Sequence, residues 1–410
     1  MKILLINHYA GSLYHGMEYR PYYLGRAWVA MGHTITIAAA TVSHVRTILP
    51  KVQKAAITQE MIDGIQYLWF KTLAYDGNGV SRAINILTFV GQLLLHRNWI
   101  SRTVSPDVVI ASSTYPLDII AARAIAKKSY AKLVFEVHDL WPLTLLEIGN
   151  MHPWNPFILL LQWAENYAYR ISTHVISMLS HADSHMIAHG MLPSKFSYIP
   201  NGVDPAEWGN NNMDLPDEHF QILDMLKTKG NFIVGYTGGH NISNALEFLI
   251  EAALLLKTTP VLFVLVGKGT EKSKLESSAG RLGLRNVFFL SPVPKRCVPL
   301  LLNKFDAVYI GWRKEPIYQF GISPNKLLDY MMAARPVIHA VDAPNDWVAE
   351  SGCGISIPPE NPHEIAQATL KLMNLSEEER IKMGQRGKAY ILANHDYRVL
   401  AKQFIDLLEQ

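Results

Sequence analysis

The segment Phe320-Gly321-Ile322-Ser323-Pro324-Asn325-Lys326-Leu327-Leu328-Asp329-Tyr330-Met331 reads as a helix start suited to an anion. Ser323 has the side chain of an N-cap, and Pro324 suits the first helical position, where a missing N–H costs nothing and a fixed φ helps. Free amides at such a terminus and the positive end of the helix dipole attract a phosphate, and Lys326 adds a formal charge in the first turn. Asp329 lies three residues after Lys326 and four after Asn325, on the same helix face, and is placed to accept from a ribose diol. The competing reading is an ordinary cap with an internal Lys326–Asp329 pair.

Two glycine turns in the same half of the chain favour the anion. Val234-Gly235-Tyr236-Thr237-Gly238-Gly239-His240 and Leu265-Val266-Gly267-Lys268-Gly269-Thr270 each carry an apolar strand into a glycine-containing turn. Glycine removes side-chain obstruction for a diphosphate, and Lys268 would neutralise it or a departing phosphate. Neither turn has the three spaced glycines of a dinucleotide fingerprint or the Gly-Lys-Ser/Thr of a P-loop, which disfavours a dehydrogenase or a P-loop ATPase.

In the first half, the strand Leu133 to Val137 ends in His138-Asp139-Leu140-Trp141-Pro142. His138 at a strand's carboxyl edge would bond a substrate hydroxyl or assist proton movement, against the reading of a satisfied structural histidine, and Asp139 sets a carboxylate beside it. The first strand leads past Gly11-Ser12 into Gly16-Met17-Glu18-Tyr19-Arg20, a polar glycine loop in which Glu18 and Arg20 would meet a diphosphate or a sugar hydroxyl unless they are simple helix-start charges. His181, His185 and His189 recur every fourth residue, but no His-Glu-x-x-His accompanies them and no Asp-x-Asp pair exists to chelate a metal-bound diphosphate. No metal is expected. A nucleophilic serine lacks its Gly-x-Ser-x-Gly elbow, and no acid pair stands out for glycoside hydrolysis.

These residues need a scaffold, and the composition bounds it. The 410 residues, at about 150 per domain, imply two large domains or three small ones. With 49% hydrophobic and 18% charged residues and a mean hydropathy of +0.07, the chain can bury sizeable cores. A net charge of +3 is far below the basic excess of a nucleic-acid binder. Cys297 and Cys353 fit neither a disulfide scaffold nor a zinc site, and point to a reducing compartment. The opening Met-Lys-Ile-Leu-Leu-Ile-Asn reads as a strand and not a secretory signal, so a cytoplasmic location is expected. No run of 18 apolar residues occurs; the nearest approach, Ile84 to Leu95, holds Asn85 and Gln92 and ends in His96 and Arg97.

Short β-branched runs alternate with helical periods throughout. Strands are expected at Ile3 to Ile6, Thr34 to Ala38, Ile65 to Phe70, Val108 to Ala111, Lys132 to Glu136 and His174 to Ser177. After Ile199-Pro200-Asn201-Gly202-Val203-Asp204 and the polar stretch Asn210-Asn211-Asn212-Met213-Asp214, taken as the linker, strands resume at Phe232 to Tyr236, Val261 to Val266, Val287 to Leu290, Ala307 to Ile310 and Pro336 to Ala340. The fold class is α/β, with two doubly wound Rossmann-like domains, 1–205 and 206–395, facing a central cleft, and a C-terminal helix, 396–410, packing back on the first.

In order and spacing these segments resemble the retaining glycosyltransferases of family 4, which have the GT-B fold, especially those of bacterial surface-polysaccharide assembly. The resemblance rests on Gly16 to Arg20 with Gly32-His33, Glu136 to Pro142, Ile199 to Asp204, Gly238-Gly239, Val266 to Gly269 and Ser323 to Met331. His-Asp-Leu-Trp-Pro and Ser-Pro-Asn-Lys add a weaker likeness to transferases of acetamido sugars such as N-acetylfucosamine. The resemblance implies that the second domain binds a nucleoside-diphosphate sugar, a UDP-sugar first among them, with Asp329 at the ribose, Ser323, Pro324, Asn325 and Lys326 at the diphosphate, and Lys268 near the phosphates. It also implies that the first domain holds the acceptor, with His138 near the transferred sugar and the Gly16 loop closing over the donor phosphates. A front-face mechanism, in which the leaving diphosphate takes the acceptor's proton, then needs neither protein nucleophile nor metal nor cofactor.

The sequence departs from the family pattern in two places. Of two glutamates usually separated by seven residues, the second is replaced by Asp329 and the first falls at Gly321. The Arg and Lys pair usual after the linker is replaced by Gly239, His240 and Asn241. Lys268 and Lys326 are the candidates to supply the missing charge. The expected acceptor is a glycan or polyprenyl-diphosphate-linked sugar, because Ile84 to Leu95 with His96, Arg97, Trp99 and Arg102 has the apolar and basic parts of an interfacial helix on the inner-membrane surface; core packing is the competing account. The alternatives in function are a non-hydrolysing nucleotide-sugar epimerase of the same fold and a non-catalytic sugar-nucleotide-binding subunit.

Overall fold

The inner strands of the first half are apolar on both faces, because each face meets its own core. In β1 (Lys2–Ile6), Leu4 and Ile6 enter one hydrophobic cluster while Ile3 and Leu5 enter another. A period of two divides the side chains between two helical layers, and a strand buried in this way suits a parallel sheet. A computed structural model of the chain describes residues 1–51, 55–77, 79–209 and 214–409. It divides into two compact units.

Unit 1 comprises Met1–Asn201, Phe320–Ser323 and Tyr397–Gln410. Beside β1, its strands are β2 (Thr34–Ala40), β3 (Ile57–Ile62), β4 (Ile65–Phe70), β5 (Val108–Ala111), β6 (Lys132–Val137), β7 (His174–Ser177) and β8 (Phe196–Tyr198). They form one sheet in the order β3-β4-β2-β1-β5-β6-β7-β8, parallel except for the β3–β4 hairpin. The order reverses direction between β1 and β5, and the crevice outside the carboxyl ends there is where such sheets hold ligands.

Unit 2 comprises Gly202–Gln319 and Pro324–Asp396. Its strands are β9 (Phe232–Thr237), β10 (Val261–Val266), β11 (Val287–Leu290), β12 (Ala307–Gly311), β13 (Val337–Ala340) and β14 (Gly354–Ser356), all parallel in the order β11-β10-β9-β12-β13-β14. The reversal lies between β9 and β12. Again the two faces separate: Leu262, Val264 and Val266 of β10 enter one cluster, and Val261, Phe263 and Leu265 the other.

The units end differently from the expected domains. The first boundary falls between Asn201 and Gly202, before the expected 205, and Asn210 to Met213 of the expected linker lie outside the described residues. The short segment Phe320–Ser323 belongs to unit 1, although the second domain was expected to hold it. The reason is local: Phe320 packs against the first unit's core, its carbonyl accepts from the His181 N–H at 2.9 Å, and Ser323 Oγ accepts from the Asn201 N–H at 2.8 Å. The final helix, Tyr397–Glu409, buries Leu400, Phe404 and Leu408 in unit 1, where Trp28 Nε1 donates to the Ala401 carbonyl at 3.1 Å and Tyr23 stacks on Tyr397.

Candidate active site

In unit 2 the carboxyl ends of β9 and β10 open into the two glycine turns, which lean on each other. Gly238 N–H donates to the Val266 carbonyl at 3.0 Å, His240 N–H to the Lys268 carbonyl at 2.9 Å, and Glu271 N–H to the His240 carbonyl at 2.9 Å. A Cβ at Gly267, whose φ is +155°, would stand 1.9 Å from the Gly238 carbonyl oxygen; one at Gly238, φ +145°, would stand 2.7 Å from Lys326 Cε. Glycine is required at both positions by these approaches and by backbone that L side chains rarely adopt.

Lys326 closes a ring of hydrogen bonds under the first turn. Its ammonium donates to Tyr236 Oη and to Asn244 Oδ1, each at 2.8 Å; Tyr236 Oη and Asn244 Nδ2 in turn donate to the Gly239 carbonyl at 2.6 and 3.0 Å. No carboxylate faces Lys326 among the described residues, and burial pushes its pKa down to about 7. An ammonium has three donors, of which two are used. His240 lies alongside with both ring nitrogens buried and unpartnered among the described residues; burial, then Lys272 and Lys326, push it down to about 4, so it is neutral. Lys268 is exposed and makes no ion pair among the described residues.

The helix carrying Lys326 spans Asn325–Met332, and Pro324, not Ser323, is its N-cap. Ser323 fails as a cap because its hydroxyl and carbonyl are both taken by Asn201. With no side chain among the described residues bonded to this end, the first amides keep their capacity for an anion. Asp329 does not pair with Lys326; both its oxygens lie 2.7 Å from Lys295 Nζ. Tyr330 Oη accepts from the Thr237 N–H at 2.8 Å and ties this helix to the end of β9.

In unit 1, Glu136 is the centre of the arrangement at the β5 and β6 ends. Its Oε1 accepts from Arg20 Nε and Nη2 at 3.1 and 3.0 Å, and its Oε2 from Ser112 Oγ at 2.6 Å, with His138 Nε2 at 3.2 Å. Burial alone would raise this carboxyl, but Arg20, followed by His138 and Ser112, overrides it and holds the pKa down to about 2. His138 is thereby oriented with Nε2–H toward the carboxylate and Nδ1 left as the acceptor.

Two expected ligands in this unit are committed elsewhere. Arg20 is 1% exposed and spends its guanidinium on Glu136 and on the Ile199 and Pro200 carbonyls, so it locks β6 to the chain after β8 and does not face a diphosphate. Asp139, raised by burial, accepts from the Thr144 hydroxyl at 2.7 Å and the Leu140 N–H at 2.9 Å and holds the turn after β6. The loop with Gly16, Met17 and Glu18 is stitched shut by Gly11 N–H to the Glu18 carbonyl at 2.8 Å and Gly16 N–H to the Ser12 carbonyl at 2.8 Å. Met17 projects outward and the Glu18 side chain is half-buried.

The expected residues thus fall into two groups: Gly238, Gly239, Lys268, Pro324, Asn325, Lys326 and Asp329 in unit 2, and Gly16, Met17, Glu18, Arg20, His138, Asp139 and Ser323 in unit 1. Glu136, Ser112, Tyr236, Asn244 and His240 join them without having been expected in these roles. A lone carboxylate within the otherwise apolar run Leu133 to Val137 was the available signal for Glu136, since a buried charge needs partners. Tyr236 and Asn244 carry no such signal.

Residues 231–375 match the profile described as glycosyl transferases group 1, and residues 14–207 match that of glycosyltransferase family 4. A putative colanic acid biosynthesis glycosyl transferase, WcaI, of Escherichia coli K12 is 26% identical over 183 residues, covering 42% of this chain and 40% of that protein. The alpha-D-kanosaminyltransferase of Streptomyces kanamyceticus is 25% identical over 221 residues, covering 52% and 54%. The chain therefore spans about half the length of these two relatives, or less. Among solved structures, Anabaena Alr3699/HepE in complex with UDP and glucose superposes with a TM-score of 0.67 at 18% identity over 100% of both chains. The sucrose-phosphate synthase of Thermosynechococcus elongatus superposes at 0.73 and 14%, over 100% of this chain and 98% of that one. These likenesses extend to the fold of both units.

Proposed function

This chain belongs to the group 1 glycosyltransferases, with the GT-B fold, and we propose that it moves a sugar from a nucleoside diphosphate, UDP first among them, to a glycan or lipid-linked acceptor with retention of configuration. The observation that carries the donor reading is Lys326: a cation set beneath two glycine turns at the reversal of the second sheet, bonded among the described residues only to neutral groups and therefore without an anion there. A diphosphate supplies that charge, and the exposed Lys268 and uncapped helix start at Asn325 add to it. Asp329, held by Lys295, would receive the ribose.

In the proposed front-face transfer, the bond from acceptor oxygen to anomeric carbon forms on the face where the bond to the diphosphate breaks. The acceptor's proton passes to a leaving diphosphate oxygen. The protein's part is to stabilise the departing charge through Lys326 and Lys268 and to position the sugar through His138. No step in this scheme uses a metal.

A surface-polysaccharide role is supported by the colanic acid relative. A membrane-borne acceptor is supported by unit 1: the helix Val80–Leu95 buries Ile86, Phe89 and Leu93 but exposes Val80, Ile84, Leu87 and Leu95, with Arg97 and Arg102 exposed beyond it. Leu159, Leu160 and Trp163 are exposed on the helix Pro156–Ile171, which shares a hydrophobic cluster with the first. One face of the helix Val80–Leu95 is used in core packing, and the exposed apolar face opposite it supports the interfacial reading. Among the described residues no helix is long and apolar enough to cross a membrane.

A thermal-shift screen against UDP, GDP, TDP and CMP, with magnesium and with EDTA, tests the donor reading. A rise with one nucleoside diphosphate, equal in EDTA and lost in Lys326→Met, is expected. Absence of any rise overturns it, and interconversion of a UDP-sugar without acceptor would favour an epimerase instead.

A further inference from the structure

The three histidines at every fourth position have no part in the transfer, and the structure treats them differently. His181 precedes the short helix Asp183–Ala188 and its Nδ1 lies 2.8 Å from Ser180 Oγ. His185 and His189 sit one turn apart on that helix and its C-cap, with ring centroids 4.1 Å apart. Facing them from the helix Pro156–Ile171 is Glu165, a carboxylate that is 1% exposed, with Oε1 at 3.1 Å from His185 Nε2. One ligand atom from each of the three lies within 4.8 Å of the others.

We propose that Glu165, His185 and His189 form a binding site for one divalent ion of the zinc class. Tetrahedral zinc with ligands at about 2.0–2.1 Å sets neighbouring ligand atoms about 3.3 Å apart, close to the Glu165–His185 separation. The supporting groups are those a metal site needs. His189 Nδ1 lies 2.9 Å from the His185 carbonyl, which fixes the proton on Nδ1 and leaves Nε2 to ligate. Glu165 is oriented by Tyr169 Oη at 2.9 Å on Oε1 and by Gln162 Nε2 at 2.7 Å on Oε2. Phe320 meets the His185 ring edge to face and forms an apolar wall.

Ligation by a neutral His185 requires the proton that faces Glu165 to move, through solvent, from Nε2 to Nδ1, which frees the Nε2 lone pair for the ion. One carboxylate and two neutral imidazoles leave the ion a single net positive charge, and the partly exposed side of His189 leaves room for water as fourth ligand. The ion would join two helices of unit 1 beside the residue at which the chain enters it from unit 2, so its effect is on the stability of that packing. Neither the donor reading nor the metal-free transfer depends on it.

The test is titration of the tag-free, EDTA-stripped full chain with zinc chloride by calorimetry, repeated with cobalt(II) to read its visible absorption. Expected are saturation at one equivalent, the bands of tetrahedral cobalt, and a zinc-dependent rise in the unfolding temperature. His189→Ala, on a half-exposed side chain, weakens binding by about tenfold or more with an unchanged circular dichroism spectrum, whereas His181→Ala binds as the wild type does. His185→Ala serves as the second variant. Absence of a saturable site, or His189→Ala and His185→Ala retaining wild-type affinity, overturns the proposal.

Discussion

The Lys326 ammonium lies 2.8 Å from the Tyr236 hydroxyl and 4.2 Å from the centre of the same ring. Tyr236 stands on β9 and Lys326 in the first turn of the helix Asn325–Met332, so this contact fixes the helix start against the Gly238–Gly239 turn. A lysine held only by neutral groups in a poorly solvated place is costly when charged, which is why it loses its proton near neutrality. The same cost makes it receptive to an anion.

Nucleotide affinity should therefore depend on pH with a definite sign. With a folded pKa of about 7, Lys326 is increasingly neutral above that pH, and binding of a diphosphate to the charged form must take up a proton. UDP affinity is expected to fall by up to about tenfold per pH unit above 7, where the diphosphate itself no longer titrates. Lys326→Met should bind about ten- to hundredfold more weakly at pH 7, the worth of a charge-assisted hydrogen bond, and show a flat profile. Calorimetry in buffers of different ionisation enthalpy reads the proton uptake directly; a steep profile persisting in the variant would remove Lys326 from the diphosphate.

The contact between the two glycine turns gives a second expectation. In Gly267→Ala the new methyl would meet the Gly238 carbonyl oxygen at 1.9 Å. The turns must separate, at a cost of about 2–4 kcal/mol, and nucleotide binding should be lost with the turn that Lys326 supports. Gly280→Ala is the control: it lies in the helix Lys272–Arg281 with open space around it and should stabilise by about 0.5–1 kcal/mol. Chemical denaturation of both variants checks the contrast.

How far the sequence could lead is visible in particular elements. Strands buried on both faces, such as Val261–Val266, announce themselves as continuous apolar runs, and the glycine turns follow them directly. The hairpin of β3 with β4 was not expected, although Asp63-Gly64, both at positive φ, is its turn signal. β8 and β14 have three residues each and carry too little pattern to be read. Side-chain commitments were the least legible: Arg20 has the type and place of a phosphate ligand, and only the fold reveals a carboxylate waiting 116 residues away. Ser323 has the sequence of a cap, but a partner from a distant loop takes its hydroxyl. His185 and His189 show their spacing in sequence, while Glu165 comes from another helix.

The Arg20–Glu136 pair should be essential to unit 1. Removing one member of a buried ion pair leaves the other uncompensated, so Arg20→Met is expected to destabilise the chain by about 3–5 kcal/mol at pH 7. In the wild type, the Glu136 carboxyl is held at about 2 against an ordinary value of 4.5, so its contribution is complete above the ordinary value and disappears as pH falls toward 2. In Arg20→Met the carboxyl loses its counter-charge and its pKa rises, so that the variant should gain stability between pH 7 and pH 5, where the wild type does not. Urea unfolding at the two pH values distinguishes them, and Arg20→Met/Glu136→Leu, which removes both charges, should recover most of the loss.

His138 offers a test that separates the two units. Its ring is fixed through Nε2 by Glu136 and Ser112 at 3.2 and 2.9 Å, which sets Nδ1 as an acceptor of a hydroxyl proton at the carboxyl edge of β6. If that hydroxyl belongs to the transferred sugar, His138→Ala should lower kcat/KM by about ten- to hundredfold, the equivalent of one strong hydrogen bond. UDP binding should stay within twofold of the wild type, because the groups proposed to hold the diphosphate charge, Lys326, Lys268 and the helix start at Asn325, all belong to unit 2. An unchanged kcat/KM in His138→Ala would make the histidine a structural partner of Glu136 and nothing more; a parallel loss of UDP affinity would mean that the donor site extends beyond unit 2.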